Sequence, residues 1–325
     1  MADKMRVALG QMRELGESDL LFAKQLGIAD LQINQVGGSC LPGDKRWEFQ
    51  DLLLLRQRAE DYGLRLAAIE NVPTPFYDKA MLGLSGRDEQ IENYQTTIRN
   101  MGKAGIPILG FHWVPNSVWR TSRTTEDRGG ARVTSFDYEP VKDAPLTHGR
   151  VFTEDEMWAN FIYFIKAVVP VAEEAGVQLA LHPDDPPVPS LGGIARIMRS
   201  FEAFQKAVEL ADSPAFGLDF CQGTWSEMGP GVLEAIRYFG SRGKIIYVHF
   251  RAVKGHVPRF QETFLNTGNV NALEAMQTYK EVGFTGFFLD DHVPHIVDDS
   301  PWGHRARAHA IGYMQALIDA VEATG

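Results

Sequence analysis

The chain has 325 residues, of which 44% are hydrophobic and 23% charged, and its formal net charge is −10. A chain of this length can bury a full core as one domain. The acidic charge argues against a nucleic-acid partner, since binding to phosphate backbones needs a basic surface. No apolar run approaches the roughly 20 residues that cross a bilayer. The absence of a signal-peptide core and the two cysteines, Cys40 and Cys221, predict a cytoplasmic protein.

Eight short apolar runs, each ending in polar residues, recur along the chain. Near-continuous apolar runs are typical of parallel strands that are buried on both faces. The predicted strands are Val7–Met12, Leu31–Val36, Leu64–Glu70, Pro107–Trp113, Val177–His182, Phe216–Cys221, Ile245–Phe250 and Gly286–Asp290.

The segments between these runs carry apolar residues at helical spacing. Thr153 is predicted to cap its helix in a capping box with Glu156, and Ser18 is predicted as another N-cap. Glycines that favour a left-handed helix end follow five of the segments: Gly27, Gly63, Gly105, Gly176 and Gly283. The predicted helices are Ser18–Leu26, Trp47–Tyr62, Asp88–Ala104, Glu154–Ala175, Ile194–Leu210, Val232–Ser241, Val270–Val282 and His304–Ala323.

Eight strands that alternate with eight helices predict an α/β fold, a single-domain (β/α)8 TIM barrel over residues 1–325. The alternative is a doubly wound open sheet, which usually has a glycine-rich phosphate turn after its first strand. The sequence GQMREL at that place is not such a turn. A long insertion follows strand four, from Val114 to Phe152, and we expect it to be a lid or a subunit contact.

Functional side chains of a barrel lie where its strands end. Four such positions on consecutive strands carry metal-ligand types, His182, Cys221, His249 and Asp291. A set of imidazole, thiolate and carboxylate groups binds divalent transition metals, and the thiolate favours zinc or iron while manganese is also accepted. A lone histidine or cysteine here is more often a core residue. The prediction therefore depends on the recurrence of ligand types at one structural position.

The residues around these positions suggest further roles. Asp184 and Asp185 stand in a stiff, proline-rich turn, either held beside the predicted ligand or pointing to solvent. Arg251 faces the same way as His249 by strand alternation and could bind a carboxylate. His292 directly follows Asp291.

These motifs resemble those of the mannonate dehydratase family, metal-dependent TIM barrels of the xylose-isomerase-like superfamily. The resemblance runs over nearly the whole chain and is carried by HPDDPP, GLDFCQGT, HFRAV, DDH and VWRT. It implies dehydration of D-mannonate to 2-keto-3-deoxy-D-gluconate, usually with Mn²⁺, although Fe²⁺ or Zn²⁺ would also suit the ligands. By position it implies His182, Cys221, His249 and Asp291 as metal ligands and His292 as the acid–base residue. Arg251 and Arg120 could neutralise the acid group of the substrate.

The chain departs from the family pattern beside the metal site. Leu289 and Asp290 stand where the family has Arg-Pro, and Val118 stands where an Asp usually precedes the tryptophan. A family tyrosine has no clear equivalent, with Trp302 or His304 nearby. We therefore expect a preserved metal site in an altered pocket, where the added charge of Asp290 favours a related or less acidic substrate.

Two other functions stay open. A sugar isomerase or epimerase of the xylose-isomerase-like type uses the same fold, although such enzymes commonly bind metal without a cysteine, so Cys221 argues against it. A non-catalytic sugar-binding barrel is the other. We expect a small-molecule sugar acid as partner, no nucleic acid or membrane partner, and a homo-oligomer.

Overall fold

The chain forms a closed barrel of eight parallel strands, and the TIM-barrel prediction is confirmed. The computed structural model describes residues 4–35 and 40–323. Their strands are β1 (Arg6–Met12), β2 (Asp30–Asn34), β3 (Arg65–Glu70), β4 (Ile108–Phe111), β5 (Ser122–Glu126), β6 (Arg132–Asp137), β7 (Gln178–Leu181), β8 (Ser190–Leu191), β9 (Ile194–Ala195), β10 (Phe216–Cys221), β11 (Ile245–His249), β12 (Val253–His256), β13 (Arg259–Glu262) and β14 (Phe287–Leu289). The order around the barrel is β1-β14-β11-β10-β7-β4-β3-β2, which excludes the open sheet.

All eight predicted strands are present, and their described ends differ from the prediction by at most two residues. The predicted end at Val36 lies outside the described residues. The helices are α1 (Glu17–Gln25), α2 (Phe49–Glu60), α3 (Asp78–Leu82), α4 (Arg87–Ala104), α5 (Glu154–Ala175), α6 (Phe201–Ala211), α7 (Gln222–Glu227), α8 (Val232–Gly240), α9 (Ala272–Glu281) and α10 (His304–Ala323). In the described part of the chain, none is long and apolar enough to cross a membrane.

One helix start differs from the prediction by more than two residues, and one predicted N-cap is wrong. The helix predicted from Ile194 begins only at Phe201, because Ser200 caps it and residues 190–195 form the β8–β9 turn. Gly16, rather than Ser18, precedes the first turn of α1. The capping box of Thr153 and Glu156 is confirmed.

The barrel interior is filled by its own side chains. One buried cluster consists of Ala8, Ala67, Ala68, Ile108, Ala180, Ile246, Tyr247, Phe287 and Leu289. The alanines leave room for the stacked rings of Tyr247 and Phe287, whose centroids lie 5.1 Å apart. Gly110 is required on β4, since a Cβ there would overlap the Tyr247 hydroxyl and Glu70. These residues form a packed floor below the C-terminal ends of the strands.

The long insertion contains regular structure. Its strands β5 and β6 pair with the hairpin β12–β13 that follows β11, in the order β12-β13-β6-β5. We call this four-stranded antiparallel sheet the auxiliary sheet. It has a small core of its own, formed by Phe136, Val188, Leu191, Val253 and Phe260. The insertion is therefore anchored to the chain segment after barrel strand β11; its roles as a lid or a subunit contact stay predictions.

Candidate metal centre and active site

The four predicted metal ligands converge at the C-terminal ends of β7, β10, β11 and β14. One ligand atom from each of His182, Cys221, His249 and Asp291 lies within 4.8 Å of the other three. The strand register explains this convergence, because Cys221 pairs with His249, and His249 pairs with Leu289 two residues before Asp291. The cluster could hold one metal ion.

Each histidine of the cluster has one ring nitrogen bound by the protein. His182 Nδ1 lies 2.6 Å from the Pro183 carbonyl oxygen, and His249 Nε2 lies 2.9 Å from Glu70 Oε2. Donating one N–H in this way leaves the second nitrogen as a lone-pair ligand. His249 Nδ1 is buried, lacks a hydrogen-bond partner among the described residues and lies 3.5 Å from Asp291 Oδ2. That buried free nitrogen is where a metal ion would fit.

The surroundings of Cys221 favour its thiolate form. Thr224 donates its hydroxyl to Sγ at 3.2 Å, and Arg251 Nη1 lies 3.7 Å from the same sulfur. Burial alone would raise the thiol pKa, but the neighbouring imidazoles of His182 and His249 and the charge of Arg251 hold the pKa of Cys221 well below its usual value. A thiolate is the form that binds metal.

The backbone at Asp291 is unusual. Its φ of 42° lies in the left-handed region, which costs about 1–3 kcal/mol for a non-glycine residue. Arg307 Nη2 lies 3.4 Å from the Asp291 carbonyl oxygen and helps to hold this conformation. Such strain, at the position where the side chain turns toward the other ligands, is expected at a functional site.

A layer of buried polar groups lies directly below the cluster. Tyr247 donates its hydroxyl to Asp219 Oδ2 at 2.9 Å, and Gln32 donates to Glu70. Burial, opposed by the charges of His249 and His182, raises the pKa of Asp219 to about 8. Glu70, Asp219 and His249 also lie within 4.8 Å of one another. Their hydrogen bonds account for this arrangement, in which Glu70 orients the ring of His249.

A buried network of charges borders the cluster on the side of the auxiliary sheet. Arg251 donates to Asp185 at 2.9 Å and to Glu227 at 2.6 Å, and Arg120 donates to Asp185 at 2.6 Å. Burial and the charge of Asp185 raise the pKa of Glu227 well above its usual value. Both predicted substrate-binding arginines are thus already paired with carboxylates of this chain. Asp185 is buried, so the alternative of a solvated turn is wrong for it.

His292 lies between this network of charges and the four ligand-type side chains. Its Nδ1 is hydrogen-bonded to Glu262, and its Nε2 lies 3.7 Å from Asp291 Oδ1. The side chain is 41% exposed, whereas those of Arg251 and Glu262 are almost fully buried. A substrate at the metal cluster can therefore reach His292.

A model of the D-mannonate dehydratase (UxuA) family matches residues 39–149 and 144–325 of the chain. The chain belongs to the mannonate dehydratase family. Mannonate dehydratase 2 of Halalkalibacterium halodurans is 31% identical to it over 342 aligned residues, covering 94% of this chain and 95% of that protein. Mannonate dehydratase of Streptococcus pneumoniae is 30% identical and covers 88% of this chain and 83% of its own length.

Solved structures agree with this family membership. The crystal structure of mannonate dehydratase from Streptococcus suis serotype 2 matches with a TM-score of 0.89 and 28% identity, covering 99% of this chain and 95% of that one. A D-tagatose 3-epimerase-like protein matches with a TM-score of 0.65 at 16% identity, over 98% and 99% of the two chains. The second match shows only a shared fold.

Asp290, Trp302 and His304, which stand where the chain departs from the mannonate dehydratase pattern, have partners of their own. Arg307 on α10 donates to Asp290 Oδ1 at 2.6 Å, and both side chains are buried, so the charge of Asp290 is balanced inside the protein. Trp302 donates to the Gln11 carbonyl oxygen at 3.1 Å, and His304 Nε2 lies 3.4 Å from Asp19. Trp302 and His304 thus bind α10 to the start of the barrel.

Several residues of the site were not found from the sequence. Asp219 had a usable signal, because it stands two residues before Cys221 on one strand and so faces the same way. Glu262, Glu227 and Arg307 had none, since they come from the auxiliary sheet and from helices outside the barrel strands.

Proposed function

We propose that this member of the mannonate dehydratase family removes water from a sugar acid, D-mannonate or a related aldonate. In this reaction the C2–H and C3–O bonds break, water leaves, and the enol that remains becomes a 2-keto-3-deoxy acid. The observation that carries the proposal is the position of His292, which stands beside four ligand-type atoms that lie within 4.8 Å of one another.

His182, Cys221, His249 and Asp291 would hold one divalent metal ion. Two imidazoles, a thiolate and a carboxylate suit Mn²⁺, Fe²⁺ or Zn²⁺, and we place Mn²⁺ first because of the family resemblance. When bound, such an ion stabilises negative charge on the substrate oxygens as a Lewis acid. The free Nδ1 of His249 and the thiolate-favouring surroundings of Cys221 support this ligand set.

His292 is the proposed acid–base residue. Its Nε2, on a half-buried side chain, can accept the C2 proton or donate a proton to the departing 3-hydroxyl, as general acid–base catalysis requires. Arg251 and Arg120 act electrostatically in this proposal, because their guanidinium groups already bind Asp185. Arg251 also stabilises the thiolate of Cys221 from 3.7 Å.

The test is a panel of aldonates that differ in configuration at C2 and C3, incubated with Mn²⁺-loaded protein and assayed for 2-keto-3-deoxy acids. Product from mannonate supports the proposal, and product from another aldonate alone would restrict it to the reaction class. Aldose–ketose interconversion without keto acid would favour the isomerase alternative. No reaction with the metal bound would favour a sugar-binding barrel. A homo-oligomer and a cytoplasmic location stay predictions.

A further inference from the structure

Glu262 is the last residue of β13, in the auxiliary sheet, and is 6% exposed. Its carboxylate accepts a hydrogen bond from His292 Nδ1. The same carboxylate oxygen lies 3.0 Å from Arg251 Nη2 and 3.3 Å from Arg120 Nη2. Three cationic or potentially cationic groups therefore converge on one buried oxygen atom.

We propose that Glu262 is the positioning residue of His292. By accepting a hydrogen bond from Nδ1–H, the carboxylate fixes the ring orientation and leaves Nε2 as the nitrogen that exchanges protons with the substrate. The inference rests on the proposed dehydration for its catalytic meaning. Its structural content, a bound proton on Nδ1, does not depend on that reaction.

The geometry at His292 requires such a partner. The side chain is 41% exposed and, apart from Glu262, the carboxylate of the described residues that lies within 4.0 Å of a ring nitrogen is Asp291, 3.7 Å from Nε2. Without an acceptor at Nδ1 the ring could rotate or take the other tautomer. A carboxylate that accepts from one imidazole nitrogen gives the other a defined role, as it does in catalytic triads.

The network keeps Glu262 ionised, which is the form that accepts the hydrogen bond from His292 Nδ1–H most strongly. Burial would raise its pKa, but the charges of His292, Arg251 and Arg120 hold the pKa of Glu262 at about 2. The two arginines are themselves fixed by Asp185, which receives hydrogen bonds from both. In this arrangement they hold an ionised carboxylate against the exposed histidine.

The auxiliary sheet supplies a rigid support for Glu262. Glu262 pairs with Val253 in the β12–β13 hairpin, and Phe260, two residues earlier, pairs with Phe136 of the insertion. Phe260 is buried in the core of the sheet, and the guanidinium of Arg120 lies 5.3 Å from its ring centroid. The insertion thus contributes to the active site by holding the strand that carries Glu262.

The first arm of the test compares Glu262→Gln with Glu126→Gln. Glu126 is an exposed carboxylate on β5 of the same sheet, so the control makes the same chemical change away from His292. We expect Glu262→Gln to lower kcat by about 100-fold or more, within the range for a general acid–base group. KM should stay within about threefold, metal content should stay near that of the parent protein, and Glu126→Gln should change none of the three. A kcat within about threefold of the parent would overturn the proposal.

The second arm observes the ring proton directly. In Zn²⁺-loaded parent protein with ¹⁵N-labelled histidine, the His292 signals are assigned by their loss in His292→Asn. We expect an Nδ1 proton that exchanges slowly with water, is kept in Glu126→Gln and exchanges faster in Glu262→Gln, because a neutral amide oxygen accepts this hydrogen bond more weakly than a carboxylate does. An unprotonated or freely exchanging Nδ1 in the parent protein would overturn the assignment, even if Glu262→Gln fails to fold. This arm needs no substrate, so it separates failure of the Glu262 assignment from failure of the proposed dehydration.

Discussion

Replacing Arg307 by Met should destabilise the fold, because it leaves the carboxylate of Asp290 buried without its charged partner. Arg307 Nη1 lies 2.6 Å from Asp290 Oδ1, and the two side chains are 7% and 1% exposed. Removing one partner of such a buried pair costs about 3–5 kcal/mol. Arg307 also lies 4.5 Å from the ring centroid of Trp302, and losing this contact adds about 0.5–1 kcal/mol. We expect a total loss of about 5 kcal/mol in the free energy of unfolding.

A double-mutant cycle with Asp290→Asn isolates the pair. The single change Asp290→Asn should cost less, about 2 kcal/mol, since Arg307 keeps its hydrogen bond to the Trp302 carbonyl oxygen at 3.0 Å. The double variant should be more stable than the sum of the two losses predicts, by about 2 kcal/mol. The assay is urea unfolding followed by circular dichroism and by tryptophan fluorescence, with and without Mn²⁺, so that metal binding is separated from folding.

The control for this cycle is Arg237→Met. Its partner Glu281 lies 3.2 Å away, but the two side chains are 49% and 58% exposed, and such surface pairs contribute about 0–1 kcal/mol. Losses that add within about 0.5 kcal/mol for Arg307 and Asp290 would refute the reasoning. Asp290→Asn should also leave KM for an aldonate within about threefold. A much lower KM would mean that the charge of Asp290 does face the substrate.

Three further variants test the metal centre and the acid–base residue. Cys221→Ser should strongly lower the metal content measured by elemental analysis, because a thiolate ligand is lost; an unchanged metal-to-protein ratio would exclude Cys221 as a ligand. His292→Asn should keep the metal content near that of the parent protein and abolish turnover, and retained turnover would remove His292 from acid–base catalysis. Glu70→Gln should weaken metal affinity by about 10–100-fold through the orientation of His249, measured by competition with a chelator; an unchanged affinity would contradict that role.

The barrel was predictable because its strands are buried on both faces and read as apolar runs. The auxiliary sheet was not, since β5 is polar and partly exposed, β6 buries only Val133 and Phe136, and β6 pairs with a strand more than a hundred residues later. The helix start predicted at Ile194, seven residues before the observed start at Phe201, is wrong for a similar reason. Apolar residues at helical spacing fit a helix there, but the turn at Gly192 and Gly193, with φ of 54° and 81°, and the Ser200 cap fix another path.

The cluster of four ligand-type residues was predictable because each of them stands at or just beyond the end of a barrel strand. The sequence also suggested that Arg251 faces the site, and it lies 3.7 Å from Cys221 Sγ. It could not show that Arg251 and Arg120 already bind Asp185, because that carboxylate belongs to a different βα loop. The sequence also could not show that Arg307 balances the charge of Asp290, because hydrogen bonds between distant segments leave no local sequence pattern.

These two ion networks change how the departures from the family pattern should be understood. Asp290 appeared to add negative charge beside the substrate, but Arg307 cancels it within the last βα unit. Arg251 and Arg120 offered two positive charges, but Asp185 and Glu262 balance them. In the proposed reaction, the charge that an acidic substrate meets would therefore depend on a metal ion held by the four ligand-type residues and on His292 more than on the arginines. Substrate choice in this chain would then be set by the groups that face the exposed side of His292, and Glu262 determines where that side points.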